Sequence, residues 1–397
     1  MNKWTKETLE DVCIKVTDGT HDSPKSVISG GYPLIKGKDI SSGFIDFNNC
    51  EHISEKDHLD VLKRSRTERG DILFSNIGSV GDCVFVSTDR EFSIKNVALF
   101  KPNIKIIVPK FLYYIVSGKQ FQGEIKNRIS GSAQQFASLT LLRKHKVILP
   151  PLPTQQKIVK ILSNYDDLIE NNLKRIKLLE ESARLTYEEW FLRFRIDGKK
   201  LDIDPESDLP FGWEKKSLGD CVNNYDNQRR PLSRLIREDR SGDYPYYGAA
   251  SVLDHIDDFI FDGKYLLVGE DGTVQTKEGV PMLQFINCKF WVSNHAHILT
   301  GKNISTEFLY LALNVYPISN HITGAAQPKI NQQNLNRIPM VIANEDLRAG
   351  FDKIILPIFK QIFNLKNQNQ LLKEARDILL PRLMTNVIDT DDLDIAV

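Results

Sequence analysis

At 397 residues the chain is too long for one ordinary hydrophobic core and points to two or three domains. Its 52 basic residues are matched by 52 acidic ones and 41% of it is hydrophobic, so no global charge drives it to nucleic acid or membrane; a subunit whose partners share the phosphate contacts fits better than a solitary DNA binder. Five scattered cysteines (Cys13, Cys50, Cys83, Cys221, Cys288) without C-x-x-C spacing argue against a disulfide framework or zinc site, and with no signal-like start and no apolar run near the roughly 20 residues of a membrane span a soluble, cytoplasmic protein is expected.

In chain order, residues 1–150 read as a globular α+β region. Short β-rich runs such as Asp71-Ile72-Leu73-Phe74-Ser75 alternate with Gly, Asn and Asp turns, with helix near 110–127. Pro150-Pro151-Leu152-Pro153 punctuates the chain, and Thr154 is predicted to cap the helix that follows. Residues 151–195 form that long helix. Its seam is Leu162, Ile169, Ile176, Ala183 and Trp190 at one heptad position, with Tyr165, Asn172, Leu179 and Thr186 at the other. Residues 196–212, rich in Asp, Pro, Lys and Gly, are the expected linker. A second globular region, 213–343, has its own strand at Tyr265-Leu266-Leu267-Val268 and helix near 305–315. A second long helix over 344–384 presents Ile355, Ile362, Asn369, Arg376 and Leu383 with Ile358, Leu365, Leu372 and Leu379. Pro357 and Pro381 predict a kink or late start there. Asn172 and Asn369 either set register as buried amides or face solvent. The acidic tail, 385–397, is expected to be disordered.

The chain is written twice. Residues 131–191 align with 324–384 without a gap: Gly131, Ala133 and Gln134 match Gly324, Ala326 and Gln327, and Leu142, Lys160, Ile161, Ile169, Asn171, Leu178, Leu179 and Glu181 recur 193 positions later. Upstream the repeat loosens. Trp4-x4-Leu9-x-Asp11 recurs as Trp213-x4-Leu218-x-Asp220, Tyr32-Pro33 as Tyr244-Pro245, Asn96-x-Ala98 as Asn294-x-Ala296, and Phe111-Leu112-Tyr113 as Phe308-Leu309-Tyr310. One piece of each half is constant in length, and the other varies in its loops.

Catalytic motifs are missing. There is no Walker-type phosphate loop, no G-x-G-x-x-G after a strand, no H-E-x-x-H and no Asn/Asp-Pro-Pro-Tyr/Phe tetrapeptide. His295-Ala-His297 lacks further metal ligands and reads as a structural pair, and Gly269-Glu270-Asp271-Gly272 reads as a turn. No catalytic residue and no metal site is assigned.

Two globular units in a head-to-tail duplicate, each trailing a long helix, resemble the type I restriction-modification specificity subunits. The motifs that carry the resemblance are the entry Leu149-Pro150-Pro151-Leu152-Pro153-Thr154-Gln155-Gln156-Lys157-Ile158, the entry Leu209-Pro210-Phe211-Gly212-Trp213, and the Gly131/Gln134 and Gly324/Gln327 pairs. The second copy departs from the pattern, with Ala343-Asn344-Glu345-Asp346 where the proline cluster stands in the first. The resemblance implies two target recognition domains separated by two long antiparallel, coiled-coil-like helices with an internal pseudo-two-fold repeat. It implies a non-catalytic DNA-binding subunit that reads a bipartite, asymmetric target. Two modification (methyltransferase) subunits and the restriction (translocase-nuclease) subunits would be its partners, and S-adenosylmethionine, ATP and Mg2+ would be bound by them. Polar and basic residues of the variable loops are the candidate DNA contacts: Thr20, His21, Lys25, Lys36, Lys38, Arg64 and Arg66 in the first unit, Asn227, Arg229, Arg230, Arg234 and Arg237 in the second, and Gln134, Gln135, Gln327 and Lys329 at the unit ends. The rival readings are a single-chain restriction-methylase, disfavoured by length and the missing motifs; the specificity subunit of a related type II system with a fused methylase-nuclease partner; and a structural coiled-coil dimerisation protein.

Overall fold

The computed structural model describes residues 4–41, 43–78, 80–129, 136–324 and 327–390. The chain divides into two compact units, one built from residues 1–170 and 369–397 and the other from 171–368. Each therefore holds one globular region together with a half of both long helices.

Both units open and close in the same way. In the first, strand Thr5–Thr8 pairs antiparallel with Lys146–Leu149, just before the first long helix. In the second, Glu214–Ser217 pairs antiparallel with Pro339–Ile342, just before the second. A four-residue helix follows each opening strand, and the amide of its first residue ties back: Leu9 N–H donates to the His145 carbonyl at 3.0 Å and Leu218 N–H to Ile338 at 2.8 Å. Thr8 and Asp11 form a capping box at the first of these turns, which fixes where the strand ends. The short helices Leu139–Arg143 and Gln332–Asn336 are capped by Ser138 and Asn331, side chains 193 positions apart that accept from the amide three residues on.

The central sheets share an order. In the first unit four antiparallel strands run Cys13–Asp18, Ala98–Pro102, Ile72–Phe74, Cys83–Phe85. In the second, Val222–Asn224, Ala296–Gly301, Phe261–Gly269 and Leu283–Val292 take the same four places. A separate sheet in the first unit pairs Tyr32–Lys36 parallel to Ser93–Lys95. In the second unit the long strand Leu283–Val292 does both jobs, so Ser241–Tyr247 and Val252–Ile256 join one six-stranded sheet. These strands read as continuous apolar runs because both faces are covered. Ile72 and Phe74 enter one core with Phe111, Leu112, Ile158 and Leu162, whereas Leu73 between them enters another with Ile35, Ile94 and Leu99. Likewise Leu266 and Val268 face the core shared with the long helices, and Leu267 faces Phe261, Phe290 and Ile298.

The first long helix spans Leu152–Tyr187 and ends in a π-helical turn, Glu188–Leu192. It starts before the expected cap: Thr154 lies inside it and is buried. Pro151 precedes the helix and Pro153 occupies its second position, where a missing N–H breaks no hydrogen bond. The second long helix, Glu345–Met384, runs through Pro357 and Pro381 as one element, so the predicted late start is corrected. Each proline forfeits one backbone bond, but Ile355 and Phe359 are buried on either side of Pro357 and hold the helix to the core.

Within each unit the helix halves pack antiparallel. In the first, Arg376 Nη1 donates to Asp166 at 2.8 Å, and Asn369 approaches the Ile169 carbonyl at 3.5 Å. In the second, Lys366 bonds Glu180 at 3.3 Å while the Trp190 and Phe351 rings lie 5.6 Å apart. Leu162, Ile169, Ile176, Ala183, Ile355, Ile362, Leu365 and Leu383 are buried, as the heptads predict. Leu179, Trp190, Ile358 and Leu379 pack at the core edge. Tyr165, Thr186, Leu372 and Arg376 are half-buried, at the margin of the seam. Asn172 and Asn369 are both buried, which removes the solvent-facing alternative.

Residues 196–212 are ordered as two small hairpins, Arg195–Ile196 with Lys199–Lys200 and Ile203–Asp204 with Leu209–Pro210. Leu209 and Trp213 are buried in the core of the second unit. The five cysteines are free thiols. No helix among the described residues is long and apolar enough to cross a membrane.

Candidate DNA-recognition surfaces

In the first unit, several candidate residues converge where the strands Cys13–Asp18, Tyr32–Lys36 and Ser93–Lys95 end. Thr20 bridges to Lys95, which is also the register partner of Lys36. The approach of the two chains is close: a Cβ on Gly19 would lie 2.1 Å from the Ile94 carbonyl oxygen, so only glycine fits there. Asp18, whose side chain is nearly inaccessible, accepts from His21 Nε2 at 2.9 Å and from the Arg64 guanidinium. His21 Nδ1 meets Asn96 Oδ1 at 3.0 Å. Asn96 is in the left-handed region (φ 53°), a conformation that asparagine tolerates.

One buried carboxylate thus collects His21 and Arg64 while leaving about half of each side chain exposed. Lys36 bonds Glu51 at 2.5 Å, and Thr20 accepts from the Asp22 amide. Lys25 and Lys38 are exposed, the latter on the tight turn Gly37–Asp39. Arg66 is exposed, 3.9 Å from Glu91. Lys95 and Asn96 were missed as candidates; the recurrence of Asn96 as Asn294 was the available signal.

In the second unit the corresponding place holds a denser charge network. Arg229 Nη1 donates to Glu270 at 2.6 Å and to the Ala296 carbonyl at 3.0 Å, and its Nε donates to the Asp226 carbonyl at 3.0 Å. His297 is fully buried between Asp226 Oδ2 at 2.6 Å and the Ile330 carbonyl at 2.8 Å. A ring flanked by a carboxylate and a carbonyl must donate from both nitrogens, so it is an imidazolium. Burial pushes its pKa down, but the Asp226 bond and charge, the Ile330 carbonyl and nearby Glu270 together raise it above the ordinary value. For Asp226 burial pulls upward and is outweighed by His297, so its pKa falls.

Asp226, Glu270 and His297 each place a possible ligand atom within 4.8 Å of the others. The place between the two carboxylates is already served by a cation, since the Arg229 guanidinium lies 2.6 Å from Glu270 and 3.7 Å from Asp226 and would repel a metal ion there. His295 pairs with Asp271, and Lys329 lies 3.4 Å from Glu270. The return segment is stitched to this network: Ile330 N–H donates to the Glu270 carbonyl at 2.8 Å, as Ala137 N–H does to Asn76 at 2.9 Å in the first unit. Gly324, at φ 86°, sits so close to the Gln327 carbonyl that a Cβ would meet it at 2.3 Å.

Two candidates are consequently spent on the fold. Arg229 is internal, and Arg237 bonds Asp254 at 2.5 Å and the Leu232 carbonyl at 2.8 Å beneath the Tyr246 ring. Asn227, Arg230 and Gln327 are exposed. Arg234 is exposed and paired with Glu238 at 2.8 Å. Gln134 and Gln135 lie outside the described residues. Residues 1–150 hold 22 Lys and Arg against 17 Asp and Glu, whereas 213–343 hold 13 against 14, so of the two globular regions the first carries the net positive charge that favours a phosphate backbone.

Comparison with known proteins bears on what these paired frameworks are. The family model described as type I restriction modification DNA specificity domain matches residues 1–181 and again 210–375. The chain belongs to the type I restriction-modification specificity subunits. This specificity subunit is 24% identical to the Type I restriction enzyme MjaIX specificity subunit of Methanocaldococcus jannaschii, over 98% of this chain and 94% of that one. It is 23% identical to the HindI specificity subunit of Haemophilus influenzae, over 86% and 91%. The crystal structure of the type I system S subunit from M. genitalium has the same fold, with a TM-score of 0.55 at 17% identity over 96% of both chains. The specificity subunit's two-fold family match falls on the halves that the internal repeat defines.

Proposed function

We propose that the specificity subunit reads a bipartite, asymmetric DNA target, each unit supplying the reader of one half, and that it carries the modification and restriction subunits. The observation that carries this reading is the contrast between shared framework and divergent edges. Both units close on the same strand pair and the same sheet order, yet the edge holding Asp18, His21 and Arg64 in one holds Asp226, Arg229 and His297 in the other. A duplicated framework gives equivalent docking places to two copies of one partner, and unlike edges give two unlike half-sites.

Exposed Lys25, Lys38, Arg66, Arg230 and Arg234 would hold phosphates or guanine edges, and Gln327 an adenine edge. Methyl transfer from S-adenosylmethionine and ATP- and Mg2+-dependent cleavage belong to the partner chains. The long helices act as a ruler in this reading. Helical rise is about 1.5 Å per residue and duplex rise about 3.4 Å per base pair, so four residues added to both helices, after Ile176 and beside Ile362, lengthen the preferred spacer by roughly one or two base pairs.

Methylome sequencing of cells carrying the chain with its partners tests this. Replacing residues 1–150 by another reader is expected to change one half-site and leave the other; a change in both, or an unaltered spacer in the insertion variant, refutes the corresponding part.

A further inference from the structure

Each unit displays one apolar side chain where no core can use it. Among the described residues, the most exposed large apolar side chain of the first unit is Ile28, wholly in solvent, and that of the second is Leu235, 75% exposed. The two occupy the same place in the repeat. Ile28 lies between strands Cys13–Asp18 and Tyr32–Lys36, and Leu235 between their counterparts, Val222–Asn224 and Ser241–Tyr247. A single exposed aliphatic side chain is ordinary on a protein surface. The same extreme in the same connection of both halves, where the two share neither length nor sequence, asks for a ligand.

Both side chains stand on anchored backbone. In the first unit Ser26 bridges to Ile53, Val27 N–H donates to the His52 carbonyl at 2.9 Å, and Ser26 Oγ donates to Glu51 at 3.0 Å. Gly31, at φ 77°, closes the turn so near the Ile53 carbonyl oxygen that a Cβ would meet it at 2.4 Å. In the second unit the short helix Arg234–Asp239 and the loop before it are stapled to the sheet. Leu232 N–H donates to the Tyr246 hydroxyl at 3.0 Å, and Trp291 Nε1 donates to the Arg230 carbonyl at 2.6 Å. Arg237 lies over the Tyr246 ring, 4.8 Å from its centroid, while bonding Asp254. Loops ordered in advance lose little conformational entropy when their tips make a contact.

The surroundings of the tips identify what they meet. The same connections carry exposed Lys25 in one unit and exposed Arg230 and Arg234 in the other, so the ligand offers negative charge around an apolar point. These connections also differ between the halves, whereas two copies of one partner chain need surfaces that are alike. Duplex DNA meets both conditions. Its phosphates take the cations, and the apolar group that its base edges present in the major groove is the C5-methyl of thymine.

We propose that Ile28 and Leu235 each read the C5-methyl group of a thymine, one in each half-site. The inference rests on the DNA-reading proposal and adds to it the chemical group recognised and the residue that recognises it.

The test uses the chain assembled with its modification subunits and the target found by methylome sequencing. Binding is measured by fluorescence anisotropy on that duplex and on duplexes in which each thymine in turn is deoxyuridine, which lacks only the methyl group. One replacement in each half-site is expected to weaken binding about fourfold, the worth of one buried methyl group. Ile28→Ser removes this sensitivity in one half-site and Leu235→Ser in the other, whereas Ile28→Leu keeps it. Both serine variants melt within about a degree of the parent, because neither side chain packs in a core. Indifference to every thymine methyl, or sensitivity that survives both serine substitutions, overturns the inference and leaves the DNA-reading proposal intact. So does an equal loss of affinity for thymine and deoxyuridine duplexes in the serine variants, which would place the tips between base steps or against a partner chain. Failure to select any target overturns the DNA-reading proposal, and this inference with it.

Discussion

Replacing Gln155 by leucine removes a clamp that joins the first globular region to the first long helix. Gln155 is fully buried. Val108 N–H donates to its Oε1 at 2.8 Å, and its Nε2 donates to the Ile106 carbonyl at 3.1 Å and the Pro150 carbonyl at 2.8 Å. Leucine fills the space but satisfies none of the three backbone groups. At about 0.5–1.5 kcal/mol net per hydrogen bond, the loss is about 2–4 kcal/mol, a large part of a domain's stability. Because the two units need not unfold together, the appropriate assay is hydrogen exchange followed by mass spectrometry on peptides covering 104–112 and 150–158. Their exchange is expected to accelerate by roughly 30- to 700-fold, every 1.4 kcal/mol being tenfold, with peptides from residues 261–301 unchanged. In the second unit Arg348 stands at the repeat position and bonds the Asn303 carbonyl, so it offers an internal control. Acceleration below about threefold in the first unit, or equal acceleration in both, would show that Gln155 is not the clamp.

The charged residues separate into two classes. Arg229→Ala is expected to destabilise the second unit by about 2–4 kcal/mol, since it leaves half-buried Glu270 with only the more distant Lys329 and His297 and the Ala296 and Asp226 carbonyls without their donor. Lys25→Ala and Lys38→Ala are expected to move the melting temperature by less than a degree while lowering the slope of DNA affinity against salt by about one per residue; an unchanged slope would exclude phosphate contact. The His297–Asp226 pair makes the second unit pH-dependent. His297 has a raised pKa, so its contribution is complete below the unfolded value of about 6.5 and is lost as pH climbs through the folded value. Asp226, shifted the other way, loses its contribution as pH falls through its lowered value. Thermal melts from pH 6 to 9 should show a decline that His297→Leu abolishes; an identical slope in the variant would place the titration elsewhere. Leu162→Ala is expected to cost about 2–5 kcal/mol and Leu168→Ala, half exposed on the same helix, less than about 0.5 kcal/mol, as urea denaturation would show.

The repeat, the two long helices and most of their buried seam were legible in the sequence, because helix packing is local and periodic: a residue's face follows from its position modulo seven. Family membership was legible for a related reason, since the constant-length half of each repeat preserves its motifs in order. The start of the first helix was misread at Thr154. A capping preference says which residue types can end a helix, whereas here Pro151 and the buried Gln155 clamp fix the first turn. The helix continues through Pro357 because Ile355 and Phe359 are buried in the core beside it. The candidate contacts show the limit most plainly. Arg229 and Arg234 look alike in a loop rich in arginine, but one closes a network with Glu270 while the other stands in solvent. Asp226 and Glu270 are 44 positions apart, and only strand register brings them to the same histidine. Sequence alone determined which segments repeat and which faces are apolar, because those are properties of neighbours along the chain. Which charges are free to meet DNA was decided by tertiary structure, since a charge is free or spent according to partners that folding alone brings near.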